Sequence, residues 1–420
     1  MNKLKKLIAA VAILPLIFLA ASGCVENPSD TRYEKTRTVV FGGIMPFEFW
    51  GLGKNADKAL NEMLLFFEKL EALTNINREG PSDILNINLA DAGKEVEIDF
   101  ITFDIIAQAK RYYEETDGAC NIAAYPLSYL WGIDSYGYNN YRDGLYYEDW
   151  TVPPSFANSD IDRKLPLPDH DEVLRVKEFC DLDKLTVFEK EGKYYAKKEI
   201  AELMIDLGGI SKGYAADQCA KICERNGIKS AKIDLSGNLY FVGLYENKAD
   251  WNVGIWNPYG PGIFDPHSTD NYFCATAAGA DISLVTSGDY QRYRYADKEG
   301  GDLVVITHII DTKTGLPYTL TYNEGRYENI AGSVVSCTVI NGNSAFADAY
   351  AKTACVMGIE TARAFFEANG VKAIMFTSDK RAAFTFDAEP VLTEVYDVYK
   401  NYTYSECSML NAQCSMKDKF

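Results

Sequence analysis

Four short stretches carry the residue types that chemistry uses. "DLGGISKGYAAD" runs from Asp206 to Asp217, "TSGDYQRY" from Thr286 to Tyr293, "HIIDTKTGLP" from His308 to Pro317, and "ADAYAKTACVMG" from Ala347 to Gly358. In the first, a carboxylate, two adjacent glycines and a lysine–glycine pair lead into a helical pattern. Glycine lets backbone N–H groups approach an anion at a helix start, so the turn suits a phosphate-bearing ligand. The plainer reading is a tight strand-to-helix connection with nothing bound. His308, before two isoleucines, reads alone as a strand-end histidine, and Asp348 as a carboxylate on a helix face. Singly, each stretch is an ordinary turn.

The elements that must position them follow from periodicity. "TRTVVFGGIMPFEFWG" alternates imperfectly and predicts one or two strands. Leu60, Leu64, Phe67, Leu70 and Leu73 recur at helical spacing. A loop, "REGPSDILNINLADAGKEVEI", is expected before a second amphipathic helix, "DFITFDIIAQAKRYYEETDG", which Gly118 closes. "DEVLRVKEFC" reads as helix and "KLTVFEKEGKYYAKKE" as a hairpin turning at Glu191 and Gly192. The Asp206 stretch opens the helix "SKGYAADQCAKICERNG". "IKSAKIDLSGNLYFVG" and "WNVGIWNP" are strands, and "CATAAGADISLVTSGDYQRYRYADKEGGDLVVITHIIDTKTGLP" is strand and turn in alternation. "GSVVSCTVINGNSAFADAYAKTACVMG" is a strand then a helix starting near Ser344, and "IETARAFFEANGVKAIMFTSDK" repeats helix then strand. The interleaving, with no internal repeat, predicts one large mixed α/β (α+β) domain, sheet-centred with helices outside.

The whole chain bounds what such a domain does. It has 420 residues, 47% hydrophobic and 24% charged, within the range of one large domain or two smaller ones. A formal charge of −18, with no compensating basic patch beyond the extreme N-terminus, argues against nucleic acid as a partner. At the N-terminus, "MNKLKK", an apolar run interrupted by Pro15, and the small residues of "AASGC" have the layout of an export signal. Small residues before Cys24 resemble a bacterial lipobox, which gives a signal over 1–23, a lipidated Cys24 and a polar tether over 24–37. An ordinary signal cut nearby or an uncleaved anchor are the alternatives. The nine other cysteines include no CxxC pair, and with only His170, His267 and His308 a zinc site is not expected. Residues 134–169, rich in Tyr, Asn, Asp and Pro, read as a long surface excursion, a possible docking surface or a decorative loop. The tail over 396–420 carries no motif.

The order of the four stretches resembles the ApbE-type FAD:protein FMN transferase family, across about Thr38 to Val391 and so a domain over 38–395. The resemblance includes "NADKALNEMLLFFEKLEALTNIN" and "YYEETDGACNIAAYPLSYLWG", where the family usually reads G-A-F-D-P before G-P-L and L-W-G. It implies an enzyme that splits FAD and joins FMN by a phosphoester to a Ser or Thr hydroxyl of an exported redox protein. It implies that Asp206 contacts FAD with Lys212 nearby, and that His308 deprotonates the incoming hydroxyl, with Ile309 giving a backbone contact. It places Met45, Ala119, Cys120 and Asn121 in the flavin pocket, and Asp348 with the Gly209 carbonyl on Mg2+. That chemistry suits these residue types. Attack on a pyrophosphate needs charge neutralisation, which a divalent cation on oxygen ligands supplies, and a base near neutrality, which histidine supplies.

Two positions depart from the family. Its magnesium-binding Thr, four residues after the Asp, is Lys352 here. Thr353 is one residue too far, since positions four apart on a helix are offset by about 40° and five apart by about 140°. An ammonium there either replaces part of the metal's charge, repels the metal, or points past the site to solvent. Asn121 stands where the family commonly has Asp, which removes a negative charge and adds two donors. Three readings stay open: a lipid-anchored flavin transferase on the extracytoplasmic face of the membrane, an FAD pyrophosphatase releasing FMN and AMP, and a flavin-binding lipoprotein without catalysis.

Overall fold

Successive side chains of a strand face opposite sides of a sheet, and here both sides are apolar. Along one strand Ala373 and Met375 enter one core while Ile374 and Phe376 enter another, and Tyr240, Phe241 and Val242 alternate in the same way. A sheet buried on both faces follows from that pattern. The computed structural model describes residues 32–40, 43–51, 53–76, 80–133, 167–256, 258, 273–288, 293–297, 303–385, 392–395 and 403–404. Its main sheet has nine strands among these residues: β1 (Arg32–Val40), β2 (Gly43–Trp50), β3 (Ser230–Leu235), β4 (Asn238–Gly243), β5 (Ile282–Gly288), β6 (Val334–Asn341), β7 (Lys372–Thr377), β8 (Arg381–Phe384) and β9 (Thr403–Tyr404). Their order in space is their order in the chain, each pair antiparallel except β8 with β9. The sheet therefore takes its last strand from beyond residue 395.

The eight described helices are α1 (Gly53–Thr74), α2 (Asp83–Leu89), α3 (Phe100–Glu115), α4 (Tyr125–Leu130), α5 (His170–Lys177), α6 (Ser211–Arg225), α7 (Ser344–Met357) and α8 (Ile359–Ala368). The larger core lies between helices and one sheet face, joining Phe47 and Phe49 of β2 to Met63 and Phe67 of α1, Cys219 of α6 and Ala351 of α7. Among the described residues the opposite face is covered by strands: Trp251–Trp256, Phe273–Gly279 and Leu392–Val395 form a three-stranded sheet over Phe241, Leu284 and Phe376. On α1 the buried stripe runs through Ala56, Ala59, Leu60, Met63, Phe67 and Leu70, leaving Leu64 and Leu73 at its margin. A third core gathers Trp131, Val173, Val304, Ile306 and Leu316.

The stretch expected to be a loop after residue 78 holds more structure. The Ser82 hydroxyl accepts the Leu85 N–H and opens α2, and Val96–Ile98 pairs with the hairpin over Leu185–Lys190 and Lys193–Lys198. A seven-residue helix shows too little of a period to be seen among Gly, Pro and Asn. The hairpin turns as expected at Glu191 and Gly192, both at positive φ. Gly118, at φ 81°, returns its N–H to the Tyr113 carbonyl and ends α3. The signal over 1–23, Cys24, and most of the tether and of the tail lie outside the described residues, as do 134–166 of the Tyr-rich excursion. No helix among the described residues is long and apolar enough to cross a membrane.

Two buried polar residues brace the segment that leads into Asp206. Lys198 is 1% exposed, and its ammonium donates to the carbonyls of Asn88 at 2.6 Å, Ala201 at 2.6 Å and Leu203 at 2.9 Å. Burial lowers its pKa, as the loss of water disfavours the charged form. The Asn88 amide pairs with the backbone of Ile205 in both directions, at 2.8 and 2.9 Å. Lys198→Met keeps the stem and strips three carbonyls of their donor. The expected loss is about 1–3 kcal/mol in urea unfolding, and an unchanged midpoint would show that the clamp is dispensable.

Candidate active site

Helix α6 begins without a side-chain cap of its own, because Ile210 occupies the capping position. The turn before it is built locally. The Asp206 N–H donates to the Ile122 carbonyl at 2.9 Å, and its exposed carboxylate accepts the Gly208 N–H at 2.8 Å. One turn into α6, the Gly213 N–H donates at 3.0 Å to Oδ2 of Asp348, which comes from α7. Gly213 is required by close approach. A Cβ there would lie 2.4 Å from the Ser344 carbonyl oxygen and 2.8 Å from both the Ala345 Cα and the Asp348 Cβ.

The exchange is reciprocal. Asp217 of α6 accepts the N–H groups of Ser344 at 2.7 Å and Ala345 at 2.9 Å, at the start of α7, beside the cap from Asn343 to the Phe346 N–H at 2.7 Å. Each helix thus satisfies amide donors that the other cannot satisfy alone. Burial pushes the Asp217 carboxyl up to about 6, against the pull of its two amide partners.

Asp348 is 1% exposed and carries two partners. Oδ2 holds Gly213, and Oδ1 holds the Lys352 ammonium one helical turn on, which also donates to the Asp348 carbonyl at 3.2 Å. The Lys352 stem runs beside Gly209, where a Cβ would stand 3.6 Å from Cδ and 3.7 Å from Cε. Lys352 therefore does not point past the site. Thr353 faces away, buried, its hydroxyl on the Ala349 carbonyl at 3.2 Å. The partly buried Cys120 thiol senses the pair: burial pushes it up to about 12, the Lys352 charge pulling it down and that of Asp348 adding to the rise. A divalent cation on Asp348 would have to displace an ammonium already bonded to its carboxylate. Among the described residues no group of three or more His, Cys, Asp or Glu is placed to hold a metal. With Lys352 on Asp348, the residues present do not fit Mg2+ there.

Asn121 is a strut. Its Oδ1 accepts the Ala123 N–H at 2.8 Å, and its Nδ2 donates to the Cys180 carbonyl at 2.8 Å and the Thr312 hydroxyl at 2.9 Å. Both donors that distinguish it from Asp are spent on the fold. The last of them reaches the His308 stretch, which is also pinned by the Trp131 indole N–H on the Gly315 carbonyl at 2.8 Å and by an ion pair of Lys313 with Asp117. His308 sits partly exposed at the bend between strands Leu303–Thr307 and Ile310–Asp311. The buried Ile309 gives its carbonyl to the Tyr318 N–H and the Thr307 hydroxyl, each at 3.2 Å, so that oxygen belongs to the fold.

Contacts therefore bring Asp206, Gly209, the segment 119–123, Thr312, Asp348 and Lys352 into one neighbourhood, with His308 four residues before Thr312 on the same stretch. Ala119 and Cys120 follow the end of α3, their N–H groups on the Thr116 carbonyl at 3.2 Å and hydroxyl at 3.0 Å. Lys212 is the second residue of α6, partly exposed and near enough to Asp234 to lower its pKa slightly against the rise from burial. Met45 lies on β2 opposite Arg37 of β1. Sequence reasoning missed Asp217, Gly213 as a packing contact, Thr312, and the Lys198–Asn88 brace. Two acidic residues amid the small and apolar faces of neighbouring helices were the available signal for the reciprocal caps.

Residues 47–375 match the model of the ApbE family. The chain is 24% identical over 365 residues to the FAD:protein FMN transferase of Escherichia coli (strain K12), covering 85% of this chain and 89% of the relative. It is 26% identical over 385 residues to that of Treponema pallidum (strain Nichols), covering 88% and 91%. Among solved structures, the flavin transferase ApbE from Vibrio cholerae superposes with a TM-score of 0.64 at 22% identity, over 86% of this chain and 100% of that one. The ApbE protein from Thermotoga maritima gives a TM-score of 0.67 at 22% identity, over 87% and 100%. These likenesses fix the α+β fold.

If Asn121 is a strut, restoring the family's acid should harm the fold. Asn121→Asp sets a carboxylate against the Cys180 carbonyl in place of a donor. The expected loss is about 1–3 kcal/mol in urea unfolding. A variant as stable as the parent would mean that the amide bridges nothing of consequence.

Proposed function

The chain belongs to the ApbE family, and on that premise we propose that it is an FAD:protein FMN transferase. The observation that carries the reading is the convergence of the glycine turn at the start of α6 with the His308 bend, through Ile122, Asn121 and Thr312. FAD is the substrate, with Asp206 and Lys212 toward the dinucleotide and Met45, Ala119, Cys120 and Asn121 walling the flavin. A Ser or Thr hydroxyl of the acceptor attacks the phosphorus of the FMN half. The new P–O bond forms as the bond to the AMP oxygen breaks, and AMP leaves with that electron pair. His308 takes the hydroxyl proton, a role for which an imidazole side chain is suited. Ile309 serves this reading through the backbone beside that base, and Gly209 through its place alongside the Lys352 stem. The family resemblance also implies magnesium, but no step is assigned to it, because the Asp348 oxygens already hold Gly213 and Lys352.

The same proposal places the enzyme on the extracytoplasmic face of the membrane. Cys24 would carry the lipid and the residues between it and β1 the tether, since 32–37, expected in the tether, are paired into the sheet; the acceptor would be an exported redox protein that needs its flavin covalently held. A basic start, an apolar run and small residues before Cys24 support this.

Purified protein incubated with FAD and an acceptor domain should release AMP and leave FMN covalently on the acceptor. His308→Ala is expected to slow labelling by ~10²–10⁴ while FAD still binds. Free FMN and AMP with no labelled acceptor would make the protein a pyrophosphatase, and binding without AMP would make it a flavin binder. In cells, Cys24→Ser should move the protein from the membrane fraction to the soluble one. Retention of that variant in the membrane with its signal removed would take the lipid anchor out of the account.

A further inference from the structure

The ion pair of Lys352 with Asp348 is the feature whose purpose the fold alone does not require. A carboxylate 1% exposed needs a compensating charge, and the nearest group supplying it is an ammonium one turn along the same helix. That ammonium is not itself sealed in. The Lys352 side chain is 22% exposed, its stem lies along Gly209, and its head sits beside the start of α6. A structural ion pair would be served as well with both partners covered. This one keeps a positive charge at the edge of the turn to which the dinucleotide is assigned.

We propose that Lys352 is the site's own cation. Its ammonium takes the position on Asp348 that a divalent ion would need, so the protein binds and turns over the pyrophosphate of FAD without Mg2+ at Asp348. The charges differ in a way that can be read. Asp348 with Lys352 is neutral overall, whereas Asp348 with a divalent ion would carry +1. The net positive charge toward the phosphates then comes from Lys212, at the second position of α6. The substrate in this inference rests on the function proposed above, while the cation exchange does not.

The test compares the parent protein with Lys352→Thr and Lys352→Ala, all stripped of metal, in MgCl2 and in EDTA at matched ionic strength. Melting temperature and isothermal titration with MgCl2 alone report the ion without any turnover. The parent should show no saturable Mg2+ shift in melting and no heat of binding, and each variant should gain both. AMP release from FAD by the parent should be equal in EDTA and in MgCl2, and release by the variants should fall on the order of tenfold or more when Mg2+ is withdrawn. Saturable Mg2+ binding by the parent matching that of the variants would overturn the proposal, as would variants that gain no Mg2+ binding. Should both variants fail to fold, Lys352→Gln and the parent titration decide the same question. A parent that releases no AMP under any condition would sink the proposed function, while melting and titration still decide the cation.

Discussion

The arrangement depends on one close approach, that of α6 to α7 at Gly213. Without a Cβ at this position the two helices come near enough for Asp348 to take an amide of α6 and for Asp217 to take two of α7. Buried amides without partners at a helix start are costly, so each carboxylate supports the helix whose amides it accepts. The same approach sets where the glycine turn lies relative to Asp348 and Lys352. Asp217 and Asp348 hold the helix pair together and, as a consequence, fix the position of the turn.

Charge burial runs through the whole site, and each case is handled with its own partner. Lys198 is neutralised by carbonyl dipoles, Asp217 by helix amides, and Asp348 by an amide and an ammonium. Pairs of this kind add little net stability, because desolvation offsets most of the attraction. Their value lies in geometry, since each partner accepts only one arrangement of the backbone that it holds. The segments carrying Asp206 and His308 are short turns with little core of their own. They are held from outside: the first by Asn88, Lys198 and the Ile122 carbonyl, the second by Asn121 and Trp131.

What the sequence made legible was what periodicity or local order encodes. The long helices, the hairpin at Glu191 and Gly192, and the helix start at Ser211 all stand where their patterns put them. Helix α2 was hidden by its length, and the strands covering the second sheet face gave no sign of which face they would choose. In the site, the motif order picked out segments that contacts join, but not the contacts that each residue makes. Asn121 is the clearest instance, because its partners Cys180 and Thr312 lie 59 and 191 residues away. Lys352 was legible as an oddity of spacing, since the helix repeat alone puts it on the Asp348 face and turns Thr353 away. That it grips Asp348, and does not reach past it, needed the backbone of Gly209 and Gly213 on the page.

The claim at the centre is that the turn from Asp206 to Gly213, fixed by the α6–α7 pair, is where the dinucleotide lies. A crystal of the parent protein soaked with FAD tests it most directly. The account predicts pyrophosphate density against the 206–213 backbone, within contact of Lys352 and with the flavin toward 119–121. Density for FAD elsewhere on the molecule, with this turn unchanged and bare, would contradict it.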